Sequence, residues 1–169
     1  MSNPKYADDI FRLDRTYERS SVINRETIMI VVGTTVIAEL LDRAVAELLR
    51  DFIDQLGAPY PFRRGIVITH EGWVSEAGCM SNNPVIAIGG PPINKLTHEF
   101  DEWVPPTHGA GGKYPIAGPG DRTGFFRKNP VGLPQVALWG KTANDTRETV
   151  EHYLKDEQGL SSFLNMCWK

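Results

Sequence analysis

The stretch Asn83–Trp103, NPVIAIGGPPINKLTHEFDEW, constrains the fold more than any other part of this chain. Four consecutive apolar residues, Val85–Ile88, run into Gly89-Gly90-Pro91-Pro92. An unbroken apolar run of that length suits a strand buried on both faces. The prolines cannot donate to a sheet ladder, so the strand must end there. Leu96, Phe100 and Trp103 then recur at helical spacing, and the Asn94 side chain can cap the helix that carries them. A strand, a tight turn and a helix start together place backbone N–H groups where open α/β sheets hold ligands.

Other segments repeat this pattern. Ile28–Val32 (IMIVV) reads as a strand ending at Gly33, and Thr34 or Thr35 can cap a helix running to about Leu56. Gly57 is suited to the C′ position and Pro59 to a stop. Apolar residues on this helix occupy Ile37, Leu40, Leu41, Ala44, Val45, Leu48, Leu49, Phe52, Ile53 and Leu56. That stripe is wider than a helix covering one sheet face needs. Either a second element packs over it, which is the simpler expectation, or Leu48, Leu49 and their neighbours form an interface. Gly65–Thr69 (GIVIT) is a second strand, which His70, Glu71 and Gly72 leave. Gln135–Trp139 (QVALW) is another, followed by Gly140-Lys141-Thr142 and a capping-box spacing from Thr142 to Asp145. Thr146, Val150, Tyr153 and Leu154 give the next helix its face; Gly159 breaks it before a short final helix with Leu160, Phe163, Leu164 and Cys167.

Two segments differ. Residues 1–27 are largely polar and charged, and within them Ile10, Leu13 and Tyr17 recur at helical spacing, which predicts a short amphipathic helix in an N-terminal arm. Residues 104–134 are rich in glycine and proline and read as a hairpin-like insertion, with candidate strands at Tyr114–Ile116 and Gly124–Arg127. The expected architecture is α/β: a single three-layer Rossmann-like sandwich over residues 28–169, its sheet mostly parallel, with the insertion adding an antiparallel edge.

Composition excludes several function classes. A net charge of −3 and a pI near 5.8 supply no global attraction to nucleic acid or anionic membrane. No apolar run is long enough to span a bilayer and no leader-like apolar region opens the chain, so a cytoplasmic protein is expected. Cys79 and Cys167 form no metal-binding or redox motif. Gly140-Lys141-Thr142 lacks the earlier glycine of a phosphate-binding loop, and Gly33 lacks the further glycines of a dinucleotide fingerprint. No cofactor is therefore specified, and His98, Asp101 and His108 give no complete metal site.

In a parallel sheet, the carboxyl ends of the strands converge on one rim. That rim would gather Gly33, Thr34 and Thr35; His70 and Glu71; Gly89, Gly90 and Asn94; and Lys141 and Thr142. Backbone N–H groups, threonine hydroxyls and the lysine could bind a small anionic or nucleotide-like ligand, or could serve turn and cap geometry alone. His70 and Glu71 are candidate acid–base residues of a hydrolase, although neighbours on an extended chain point apart. The competing expectation is a non-catalytic interaction module, a homo-oligomer or a partner of another protein, using helix 35–56 and the N-terminal arm.

Two short pieces resemble segments of the carboxyl-terminal module of archaeal surface-layer proteins. One is Ile88-Gly-Gly-Pro-Pro-Ile-Asn94, similar to that family's glycine-glycine-proline-x-x-asparagine turn. The other is Thr142-Ala-Asn-Asp-Thr-Arg147, similar to its threonine-alanine-x-aspartate-threonine pattern. The resemblance implies an α/β module used for assembly. This chain shows no export signal or anchoring segment, so what is implied is a relationship of fold, and no functional residue is carried across.

Overall fold

The computed structural model describes residues 23–75, 82–102, 111–114, 122–129 and 132–168. β1 (Thr27–Val32) leads into a π-helical turn, Ala38–Asp42, continuous with α1 (Arg43–Gly57). β2 (Arg64–Thr69), α2 (His70–Ser75), β3 (Val85–Ile88) and α3 (Lys95–Glu102) follow. β4 (Gly111–Tyr114), β5 (Arg122–Lys128) and β6 (Pro134–Gly140) complete the sheet. α4 (Ala143–Lys155), a second π-helical turn (Glu157–Ser161) and α5 (Ser162–Cys167) end the described chain. The predicted helix around Ile10–Tyr17 lies outside the described residues, as do Trp103, Cys79 and His108.

The six strands form one sheet in the order β2-β1-β3-β6-β5-β4. β2, β1, β3 and β6 are mutually parallel, while β5 pairs antiparallel with both β6 and β4. The expected α/β class and Rossmann-like open sheet are therefore present. β1 and β3 are buried along their whole length because both faces of the sheet are covered. On one face Ile28, Ile30, Val32, Ile86 and Ile88 pack against residues of α1, α4 and α5, with Leu49, Val150 and Phe163 at the centre. On the other, Met29, Val31, Val85 and Ala87 pack against Leu96 and Phe100 of α3.

Three sequence expectations need correction. The described strand of the insertion ahead of β5 is Gly111–Tyr114, which starts earlier than the expected Tyr114–Ile116, whose last two residues lie outside the described residues; its register pairs Gly111 with Arg127 and Tyr114 with Gly124. Two glycines hid it, since glycine is a poor strand former and the ladder to β5 is a nonlocal gain. α2 starts at His70 itself, so His70 and Glu71 open a helix instead of continuing an extended chain. Finally, among the described residues nothing covers much of the outer surface of α1 and the π-helical turn before it: Leu40 of the turn is 71% exposed, and Leu56 and Phe52 of α1 are 54% and 42% exposed.

Candidate functional site

The connections define where a crevice must open. β1 passes through α1 to β2 on one side, across the face that α4 and α5 also cover. β3, on the other side of β1, passes into α3 on the opposite face. The chain therefore leaves the adjacent carboxyl ends of β1 and β3 in opposite directions, which is the topological switch point where open α/β sheets place ligands.

Asn94 fills the floor of that crevice. Its side chain is fully buried. Nδ2 donates to the carbonyls of Val31 and Ile88, both at 2.9 Å, while Oδ1 accepts from the Leu96 N–H at 3.0 Å. One amide thus ties the ends of β1 and β3 to the start of α3. Its predicted capping role is realised, and no part of it faces outward. Gly33 lies under the same turn: a methyl group added there would stand 2.2 Å from the Ile93 carbonyl oxygen. The strand end and the 89–94 turn consequently pack backbone to backbone.

Above this floor lies a residue that sequence reasoning missed. Asp42 ends the π-helical turn and is only 6% exposed. A methyl built on Gly89 would stand 2.7 Å from Asp42 Oδ2, and Gly89 holds φ at +103°, a region that side chains disfavour. The bare Cα at Gly89 is what lets the carboxylate approach the rim. Among the described residues this carboxylate has no hydrogen-bond or ion-pair partner, and burial pushes its pKa up to about 6. A buried, unpaired carboxylate is expensive for a fold, and such groups concentrate at functional sites. π-helical turns are likewise frequent at such sites. An Asp inside an apolar helical pattern gave a weak signal, because its packing partners come from β3 rather than from its own helix.

The predicted rim residues separate in space. Gly89 and Gly90 adjoin β6: the Gly89 N–H donates to the Leu138 carbonyl at 3.1 Å, and Trp139 Cδ1 would lie 3.3 Å from a methyl on Gly90. Asp42 and Trp139 therefore bracket the Gly89–Gly90 turn from the two faces of the sheet. Gly33, Thr34 and Thr35 border it from β1, with Thr34 and Thr35 exposed. Lys141 and Thr142 border it from β6, both exposed.

His70 and Glu71 do not share this site. They leave β2, which β1 separates from β3. His70 is buried with Nε2 3.6 Å from Glu99 Oε1 of α3, whereas Glu71 is exposed. Two neighbours do point apart, and the acidic residue that meets His70 comes from another element. Neither ring nitrogen of His70 has a hydrogen-bond partner, nor do the buried Trp73 Nε1 and Thr97 Oγ1 on the same face of the sheet.

Helix starts at the rim carry their own caps. Thr35 Oγ1 accepts from the Ala38 N–H at 3.1 Å. Thr142 Oγ1 accepts from the Asp145 N–H at 3.1 Å, while Asp145 Oδ2 accepts from the Thr142 N–H at 3.0 Å. Thr146 Oγ1 accepts from the Gly140 N–H at 3.0 Å. Much of the donor capacity that would attract an anion is satisfied internally, and Asp145 adds a negative charge at the start of α4. Chemically the rim offers an acceptor at Asp42, an indole edge at Trp139 and a cation at Lys141. No group of three or more metal-ligating side chains occurs among the described residues. No described helix is long and apolar enough to cross a membrane. No protein-family model matches the chain, and no curated protein sequence matches it either.

Proposed function

We propose that this protein binds a small nucleotide-like ligand at the rim formed by Gly33–Thr35, Asp42, Gly89–Gly90 and Lys141–Thr142. The observation that carries this reading is Asp42, a buried carboxylate without a partner, held against a bare glycine at the switch point of the sheet. Self-capped helix starts favour a ligand that presents hydroxyl or amino donors to Asp42, with any anionic group directed to Lys141. Trp139 offers an apolar edge beside Gly90 for a flat ring.

The test is native mass spectrometry of protein purified without added ligands, followed by titration calorimetry with the retained compound. Nucleosides and nucleotides serve as probes if none is retained. Asp42→Asn and Gly90→Val should each weaken binding at least tenfold, the second by driving a side chain toward the Trp139 ring. Unchanged affinity in both variants would sink the reading.

A second reading rests on a separate observation. Val36, Ile37, Leu40, Leu41, Leu48, Phe52 and Leu56 are each between 37% and 74% exposed along one helix. A contiguous apolar surface of this kind marks an interaction site. It supports a non-catalytic assembly module in which α1, with the N-terminal arm, contacts another protein or copy. The resemblance to the surface-layer module points the same way. Light scattering of Leu48→Asp tests it: an assembly that persists unchanged removes α1 as its interface.

A further inference from the structure

The fold offers the Asp42 carboxylate nothing in return for its burial. Asp42 is 6% exposed, and its Oδ2 lies against the bare Cα of Gly89. Asn94 also comes close to that Cα, but its side-chain amide is engaged with Val31, Ile88 and Leu96. The charged groups nearest in sequence, Glu39 and Arg43, bond each other at 2.6 and 2.9 Å. β1 carries no titratable side chain. The buried face of α4 presents Thr146, Thr149, Val150 and Tyr153; only the tyrosine titrates, and burial pushes its pKa well above the ordinary phenol value. At the rim, Asp145 accepts from Thr142, and Lys141 follows β6. Burial alone raises the Asp42 pKa, with no contribution from a neighbouring charge.

A buried carboxyl group in this position is satisfied in one of two ways: by a proton of its own, or by a donor that arrives from outside. We infer, resting on the rim reading above, that the ligand and a proton compete for Asp42 and that acid therefore releases the ligand. Ionised, the group accepts through both oxygens with charge-assisted strength. Protonated, it gives up one oxygen to its own O–H, and the bonds left to the ligand are ordinary ones.

Linkage fixes the direction and the range. Donors that bind the carboxylate lower its pKa in the complex, so each ligand bound in acid expels a proton. The free group titrates at about 6, so affinity should be level above about pH 7 and fall by up to about tenfold per pH unit below 6. An exposed aspartate would keep its ligand down to about pH 4. Burial is what moves the release point toward neutrality. Protonation also removes a buried charge, so Asp42 does not weaken the fold over the range in which the ligand leaves.

The experiment is titration calorimetry of the full chain with adenosine, guanosine and uridine, which carry no phosphate to titrate in the same range. Each is run at about pH 7.5 and about pH 5, in two buffers of different ionisation enthalpy, with circular dichroism checking the native fold at both. For the nucleoside that binds, affinity should be about tenfold weaker at the lower pH, with close to one proton released per ligand there and almost none at the higher. Asp42→Asn should give the same weak affinity at both pH values and no proton release. Equal wild-type affinity at the two pH values, in a site that Asp42→Asn still weakens, overturns the competition and leaves the rim reading standing. Proton release that persists in Asp42→Asn comes from another group and overturns the competition too. Affinity that neither Asp42→Asn nor Gly90→Val lowers removes the rim reading and the competition together. So does an absence of binding by all three nucleosides and their monophosphates.

Discussion

α1 and α4 cover the same face of the sheet, yet they are finished very differently. α4 opens on a full capping box between Thr142 and Asp145, buries Thr146, Thr149, Val150 and Tyr153, and turns polar residues such as Arg147 outward. Its Arg147 pairs with Glu151 one turn on, at 3.0 Å. Its outward side is polar, and the polar group it leaves without a partner among the described residues is the buried Tyr153 hydroxyl. α1 buries Val45, Ala46, Leu49 and Ile53 as a covering helix should. It also carries an unpaired buried carboxylate at its amino-terminal end and a bare apolar ridge on its outer side. Neither feature helps the isolated fold. Features that a fold carries at its own expense are where function is to be sought, and both lie on one helix.

The largest effect that would break this contrast belongs to the buried side of α1. Leu49 and Leu48 are adjacent and read alike in sequence, but Leu49 is fully buried and Leu48 is 37% exposed. Leu49→Asp should therefore destabilise by more than about 4 kcal/mol, seen as loss of cooperative thermal unfolding. Leu48→Asp should change the stability of the isolated chain by no more than about 0.5 kcal/mol. Equal effects would mean that α1 has no free face.

Asp42 comes next, with the opposite sign. Its folded-state pKa is raised, so its contribution to stability is fully present below the unfolded carboxylate value. That contribution is lost as pH rises through about 6. Asp42→Asn should accordingly stabilise the protein at pH 7 by about 1–2 kcal/mol once solvent screening of the carboxylate is allowed for, and the gain should vanish below about pH 4. Chemical denaturation at both pH values checks it. Ligand affinity should fall in the same variant, which separates function from stability at a single residue.

At α4 the expected change is smaller. Thr142→Ala removes the cap and half of the box, costing about 1 kcal/mol in urea unfolding. Ligand binding should weaken little, because the Thr142 hydroxyl already serves the helix. A large loss of binding with unchanged stability would move the site from Asp42 toward Lys141.

What the amino-acid sequence determined by itself was everything that depends on neighbours along the chain. The apolar runs Ile28–Val32, Val85–Ile88 and Gln135–Trp139 each form strands within a residue or two of the expected bounds. Asn94, Thr35 and the Thr142–Asp145 box cap the helices they were read to cap. Alternating strands and helices were sufficient for the layer architecture. Tertiary structure decided which groups came together across the sheet. Asp42 matters because Gly89, 47 residues away, brings a bare Cα against it. His70 meets Glu99 instead of Glu71 because α3 crosses that face. The wide apolar stripe read over 35–56 buries Val45, Ala46, Leu49 and Ile53 against the sheet, whereas among the described residues no second element covers Leu40, Leu48, Phe52 and Leu56. Caps and periodicity act over one helical turn, whereas burial of a charge or a ridge depends on what the rest of the chain lays over it.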